Sequence, residues 1–164
     1  MSCLFCDLFE TGKAADFQSE YFWARLDIHP VSPGHLILIP KRHVAKLDEL
    51  RRDEEYDLAR MRKRAVAFIE SAAQDTTLRR MYEVILDARL TKNSLWFIGR
   101  TLKHPRFGSI PDGYNHVVND GQAAGQTIMH LHWHIIPRYS GDVPNPKGGG
   151  RYVIPELGNY TEPR

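Results

Sequence analysis

The spacing of apolar positions along this chain changes several times, and each change marks an element. Residues 35–39 read His-Leu-Ile-Leu-Ile, an unbroken run stopped by Pro40, which is the pattern of a central strand. Residues 21–26 carry the aromatic content of another strand. Between them Asp27-Ile28-His29-Pro30-Val31-Ser32-Pro33-Gly34 holds two prolines and a glycine, a rigid loop. From residue 48 to about 73, Leu50, Leu58, Met61, Ala65, Phe68, Ile69 and Ala72 recur at helical intervals with charges between them. Leu78, Met81, Tyr82 and Ile85 suggest a second, shorter helix, whereas 92–111 shows no clear period. Residues 114–119 predict a short strand, followed by the turn Asp120-Gly121.

Residues 130–136, His-Leu-His-Trp-His-Ile-Ile, alternate strictly. Successive side chains of a strand point to opposite faces, so the three imidazoles share one surface while Leu131, Trp133 and Ile135 anchor the other. Residues 141–150 are rich in glycine and proline, and 151–154 offer one more extended piece. The expected architecture is α+β, an antiparallel sheet packed by one long helix plus a shorter one. Residues 1–164 are expected to form one domain, with 74–113 an insertion-like connection and 141–164 a Gly/Pro-rich tail.

Composition narrows the function classes. With 164 residues, 42% hydrophobic and 26% charged, the chain has enough apolar material for a proper core. A net charge of +2 gives no case for a wholly electrostatic nucleic-acid surface. No apolar run is long enough to span a bilayer and no leader pattern follows Met1, so a cytoplasmic location is expected. The two cysteines, Cys3 and Cys6, are so close in sequence that a disulfide would staple almost nothing.

Three imidazoles on one rigid face support two chemistries. They can ligate a metal that keeps an open position for water. Alternatively, one ring can attack phosphorus, giving a phosphoramidate that water resolves. The second route needs a ring fixed in one tautomer and donors for the phosphoryl oxygens. Gln126, Thr127 and the backbone after Gly125 are candidate donors. Cys3 and Cys6, at two-residue spacing, are half of a zinc site.

The run Asn119-Asp120-Gly121-Gln122-Ala123-Ala124-Gly125-Gln126-Thr127-Ile128-Met129-His130, continuing through His132 and His134 to Pro137-Arg138, resembles the signature of the histidine-triad (HIT) family. Cys3-Leu4-Phe5-Cys6, Leu26-Asp27-Ile28 and Pro33-Gly34-His35 into Ile39-Pro40-Lys41-Arg42-His43 match its N-terminal half. The resemblance implies a HIT-like fold and nucleotide hydrolysis or transfer through a nucleotidyl-histidine. It implies His132 as the nucleophile, His134 at the phosphate and leaving group, and His35 beside the nucleophile. Asn119, Gln126 and Thr127 match positions that hold phosphate oxygens or the leaving group. Asp27 matches the acid that accepts the ribose hydroxyls. Leu4, Phe5, Leu8, Ile28 and Ile37 fall where the family builds an apolar base pocket. Some bacterial members complete a structural zinc site with residues matching His43 and His130, beside Cys3 and Cys6.

Transferase branches resembling galactose-1-phosphate uridylyltransferase or diadenosine tetraphosphate phosphorylase usually carry glutamine where this chain has His134, which favours a hydrolase. Dinucleoside polyphosphates are expected substrates, AMP an expected ligand, a homodimer the expected assembly, and no catalytic cofactor is required. Arg25 departs from the family's usual apolar residue near the base pocket.

Overall fold

The computed structural model describes residues 3–12, 16–88 and 90–158, so the end of the expected tail, 159–164, lies outside the described residues. In chain order the elements are helix α1 (Leu4–Glu10), strands β1 (Phe17–Gln18), β2 (Phe22–Leu26) and β3 (Leu36–Pro40), helices α2 (Arg52–Ala73), α3 (Thr77–Leu86) and α4 (Lys92–Leu102), strands β4 (Gly113–Val118) and β5 (Trp133–Arg138), and the short helix α5 (Pro155–Gly158). The strands form one antiparallel sheet in the order β1-β2-β3-β5-β4. The expected α+β architecture with a long helix on the sheet is therefore present.

Two apolar layers sandwich the central strands. On one face Phe22, Ala24, Leu36, Leu38, Leu131 and Ile135 pack against Leu58, Met61, Ala65 and Ile69 of α2. On the other, Trp23, Ile37 and Ile39 pack against Phe5 of α1, with Leu8 and Phe9 at the edge. This double coverage explains why 35–39 reads as an unbroken apolar run. Gly34, at the entry to β3, adopts φ +83°, and a Cβ there would meet Ile69 Cγ2 at 2.9 Å. Only glycine lets α2 approach this turn so closely.

The N-terminus of α2 is tied to the loop that carries His43. Glu54 is buried and accepts from Arg42 Nε at 2.9 Å, from a second Arg42 nitrogen at 2.6 Å, and from the backbone N–H of Arg51 at 2.8 Å. The Arg42 guanidinium foremost, then the Arg51 N–H, pull the carboxyl down to about 2 despite its burial. A folded-state value below the unfolded one adds stability that is complete above about pH 4.5 and is lost as pH falls toward 2. Glu54→Gln is expected to destabilise the protein by on the order of 2 kcal/mol at pH 7. Denaturant titrations should show the gap narrowing at pH 3; a gap independent of pH would mean that the carboxylate's charge is irrelevant.

Two expectations need correction. Residues 92–102 form α4, although no helical period was legible there. Ile98 and Thr101 face inward while Leu95 and Trp96 stay exposed, so apolar residues on two faces mask the 3.6-residue repeat. Residues 151–154 are not a strand: Gly149–Val153 is a 3-10 turn, and Val153 and Ile154 are exposed with no strand beside them.

Candidate active site and metal cluster

The histidine run begins before its strand. β5 starts at Trp133, so His130 lies in the bend before it, His132 in the lead-in and His134 within the ladder. The alternation still holds: Leu131 and Ile135 are buried against α2, while Phe5, on the opposite face, meets the rings of His130 and His132 edge-on, centroids 5.8 and 5.3 Å away.

Each ring's tautomer follows from partners that can only donate or only accept. His132 Nδ1 lies 2.8 Å from the carbonyl oxygen of His130, which can only accept. The proton therefore sits on Nδ1, and Nε2 keeps its lone pair. Burial pushes this ring's pKa below the ordinary 6.5, outweighing the carbonyl bond, so it is neutral at pH 7. His35 Nδ1 accepts from the backbone N–H of Val31 at 3.4 Å, which puts its proton on Nε2, 3.0 Å from His134 Nδ1. His134 then accepts at Nδ1 and carries its own proton on Nε2. Burial pushes His35 down to about 4, so it too is neutral.

Asp27 closes this group. Its N–H donates to the His35 carbonyl at 2.9 Å, holding the two ends of the rigid loop together. One carboxylate oxygen accepts from the His29 N–H at 2.8 Å, and the other lies 3.6 Å from both His35 Nε2 and His134 Nδ1. Burial opposes its charge, but the His134 and His35 rings and the His29 N–H hold it well below the usual carboxylate range. It is thus an anion beside the histidines rather than a solvated loop acid.

The other candidate residues fall into place unevenly. Asn119 Nδ2 donates to the Gly125 carbonyl at 3.5 Å, and Gly125 adopts φ +90°, which suits glycine at this turn. Thr127 is exposed. Gln126 is 4% exposed; its Oε1 accepts from the Gly121 N–H and its Nε2 donates to the Ala45 carbonyl, both at 2.8 Å. Its amide braces the loop that leads to the histidines. Phe5 and Ile37 are buried side by side, Leu8 packs at their edge and Ile28 is half-buried, whereas Leu4 is 52% exposed. Arg25 pairs with Ile37, which pairs with His134, so all three share one face.

Sequence reasoning did not foresee His29. Its Nε2 lies 3.0 Å from Ser94 Oγ and its ring packs edge-on against Phe97, coupling the Asp27 loop to α4. A lone loop histidine without a motif gave no signal.

Cys3, Cys6, His43 and His130 converge on a single point, with their ligand atoms all within 4.8 Å of one another. His130 Nε2 donates to the Pro40 carbonyl at 2.9 Å, which leaves Nδ1 bare, 3.3 Å from Cys3 Sγ and 3.6 Å from Cys6 Sγ. His43 Nδ1 lies 3.4 Å from Cys6 Sγ. A tetrahedral zinc with ordinary bond lengths places its sulfur and nitrogen ligands roughly 3.6 Å apart, so the four donors fit that ion in type and spacing. The carbonyl of Pro40 sets the tautomer that such ligation requires.

The three triad rings do not converge on a common ion. Among the described residues the potential ligand groups are the Cys3 cluster and Asp27, His35 and His134, and neither contains His132. The second group is a hydrogen-bonded cluster, since ligation through His35 Nε2 would move its proton to Nδ1, against the Val31 N–H. Among the described residues the alternative of an open zinc held by the triad thus has no ready-made ligand set.

A model of the HIT domain matches residues 10–141. The chain belongs to the HIT domain family. An uncharacterized HIT-like protein of Methanocaldococcus jannaschii is 31% identical over 142 residues, 85% of this chain and 81% of that protein. The bis(5'-adenosyl)-triphosphatase of Dictyostelium discoideum is 28% identical over 148 residues, 90% of this chain and 72% of that one. A crystal structure of a zinc-bound histidine triad family protein from Mycobacterium smegmatis superposes with a TM-score of 0.55 at 27% identity, covering 96% of this chain and 94% of that one. Like other HIT proteins the chain carries a nucleotide-binding type of site, and among the described residues no helix is long and apolar enough to cross a membrane.

Proposed function

We propose that this HIT protein hydrolyses nucleoside phosphoanhydrides or phosphoramidates, dinucleoside polyphosphates among them, through a nucleotidyl-histidine. The observation that carries the reading is the 2.8 Å bond from His132 Nδ1 to the His130 carbonyl, which leaves Nε2 unprotonated as a nucleophile. In the first step Nε2 bonds to the α-phosphorus as the bond to the leaving oxygen or nitrogen breaks. His134, its Nε2 proton set by His35, donates a hydrogen bond to the leaving atom; a polyphosphate departs as its anion, and an amine takes its proton from solvent. In the second step water attacks the phosphoramidate, its proton passes to solvent, and the N–P bond breaks to release the nucleoside monophosphate and the free ring. Asp27 takes the ribose hydroxyls, Asn119 and Thr127 the phosphoryl oxygens, and Phe5, Leu8, Ile28 and Ile37 the apolar face of the base. The triphosphatase relative, from its name, acts on a dinucleoside triphosphate, which supports this substrate class.

Rapid quench with a labelled dinucleoside polyphosphate tests the reading. Labelled nucleoside monophosphate should be trapped on the protein in an acid-labile, base-stable bond. No labelled protein during measurable turnover would dismiss the covalent route. The same assay gives a pH prediction: with His132 below its ordinary value, the acid limb of kcat/KM should be centred below pH 6.5, where the ring protonates. An acid limb centred at or above 6.5 would contradict a buried neutral nucleophile.

We further propose that Cys3, Cys6, His43 and His130 hold a structural zinc that pins α1 over the histidine face. The neighbour from Mycobacterium smegmatis, zinc-bound by its description, supports this.

A further inference from the structure

We propose that the groove between the outer face of α4 and the loop after β5 binds a free nucleoside polyphosphate, at a site separate from the histidine cluster. The groove encloses about 840 Å³, within the range of small-molecule sites, and shares no lining residue with the triad, Asp27 or the cysteine cluster. One wall is a stripe of α4 in which Trp96, Arg100 and Lys103 recur at helical spacing; the other is Tyr139 with Asp142 below it.

Charge and aromatic surface together select the ligand. The groups that face the groove are Arg100, Lys103, His104, Arg106 and Asp142. Asp142 is already neutralised by Arg138, which donates to its two oxygens at 2.7 and 2.8 Å. Arg106 lies 3.5 Å from Asp112, whereas Arg100 and Lys103 have no carboxylate partner among the described residues. A surplus of two cations therefore faces the space. Trp96 is 57% exposed and Arg100 lies over its ring at 5.5 Å, while the buried Tyr139 on the far wall packs against the tilted ring of His104. An exposed tryptophan beside cations without carboxylate partners is the composition that holds a base by stacking on its open face and its phosphates by charge.

Occupation of this groove bears on the catalytic loop, because α4 has two working faces. Its inner face holds His29 through Ser94 and Phe97, and Thr101 Oγ1 donates to the Pro30 carbonyl at 3.3 Å. The 92–111 segment, aperiodic in sequence, thus carries one apolar face for the core and another for a ligand.

The indole N–H of Trp96 reports on the site directly, since Trp23 and Trp133 lie elsewhere. Its resonance, assigned with a Trp96→Phe variant, should shift saturably on adding the α,β-methylene analogue of ATP to the whole protein at low salt. In the R100E/K103E variant, altered at two exposed positions, the apparent affinity read at this resonance should fall by about tenfold or more, with the thermal midpoint unchanged. A Trp96 resonance that ignores the analogue overturns the proposal, as does one equally responsive in the double variant. Tripolyphosphate binding as tightly as the analogue would overturn the nucleotide assignment in favour of a bare polyanion. A single-stranded oligonucleotide binding more tightly than the analogue would overturn it in favour of a nucleic acid.

Discussion

His132→Ala or His132→Asn is expected to lower turnover by roughly four orders of magnitude or more while leaving nucleotide affinity within a few-fold. In the proposed reaction the ring contributes the bond-forming nitrogen, and no other imidazole in the cluster is placed to replace it. His130 turns its bare nitrogen to the thiols, and His134 is held with its proton on the outward nitrogen by His35. Affinity should persist because Asp27 and Asn119 take their hydrogen bonds from groups other than the His132 side chain, and Phe5 also keeps its contacts with Trp23 and His130. The measurement pairs steady-state rates with equilibrium binding of a non-hydrolysable analogue. Near-normal turnover would move the nucleophile elsewhere, and a collapse of binding with the rate would mean that His132 holds substrate rather than attacks it.

Cys6→Ser should lower both metal content and stability. Protein purified without chelators is expected to carry close to one zinc per chain, and the variant close to none. α1 is only 7 residues long and lacks a side-chain cap, so it cannot persist by helix propensity alone. Phe5, Leu8 and Phe9 hold one side of it, and the thiol cluster holds its start. Loss of the ion should therefore cost on the order of 3 kcal/mol, a fall of roughly 10 °C in thermal midpoint. Elemental analysis and a thermal melt check this together. A metal-free wild type with the same midpoint as the variant would reduce the cluster to buried thiols and histidines.

Much of the fold was legible because period and burial agree. The strands at 22–26 and 36–40 and the helix at 52–73 each bury a simple set of positions, so pattern and structure coincide. Elements escaped where this link fails. β1 is only 2 residues long, too short for any period, and α4 buries one apolar face while exposing another. At the site, residue types singled out the histidines that the structure brings together but not their tautomers, which depend on the carbonyls of His130 and Pro40 and the N–H of Val31. Backbone partners leave no trace in residue identity. Gln126 is a further case: its amide is tied to the Gly121 N–H and the Ala45 carbonyl, partners that its place in a motif did not disclose.

At position 130 two duties are divided between atoms of one residue. The ring serves the thiols, but what fixes the neighbouring imidazole is the peptide oxygen, and every amino acid owns one. The clamp at the N-terminus can therefore be rebuilt or discarded by side-chain substitution while the proposed nucleophile, the His132 ring, keeps its hydrogen bond to that oxygen. Evolution and protein engineers alike are free to vary the anchor without touching the chemistry.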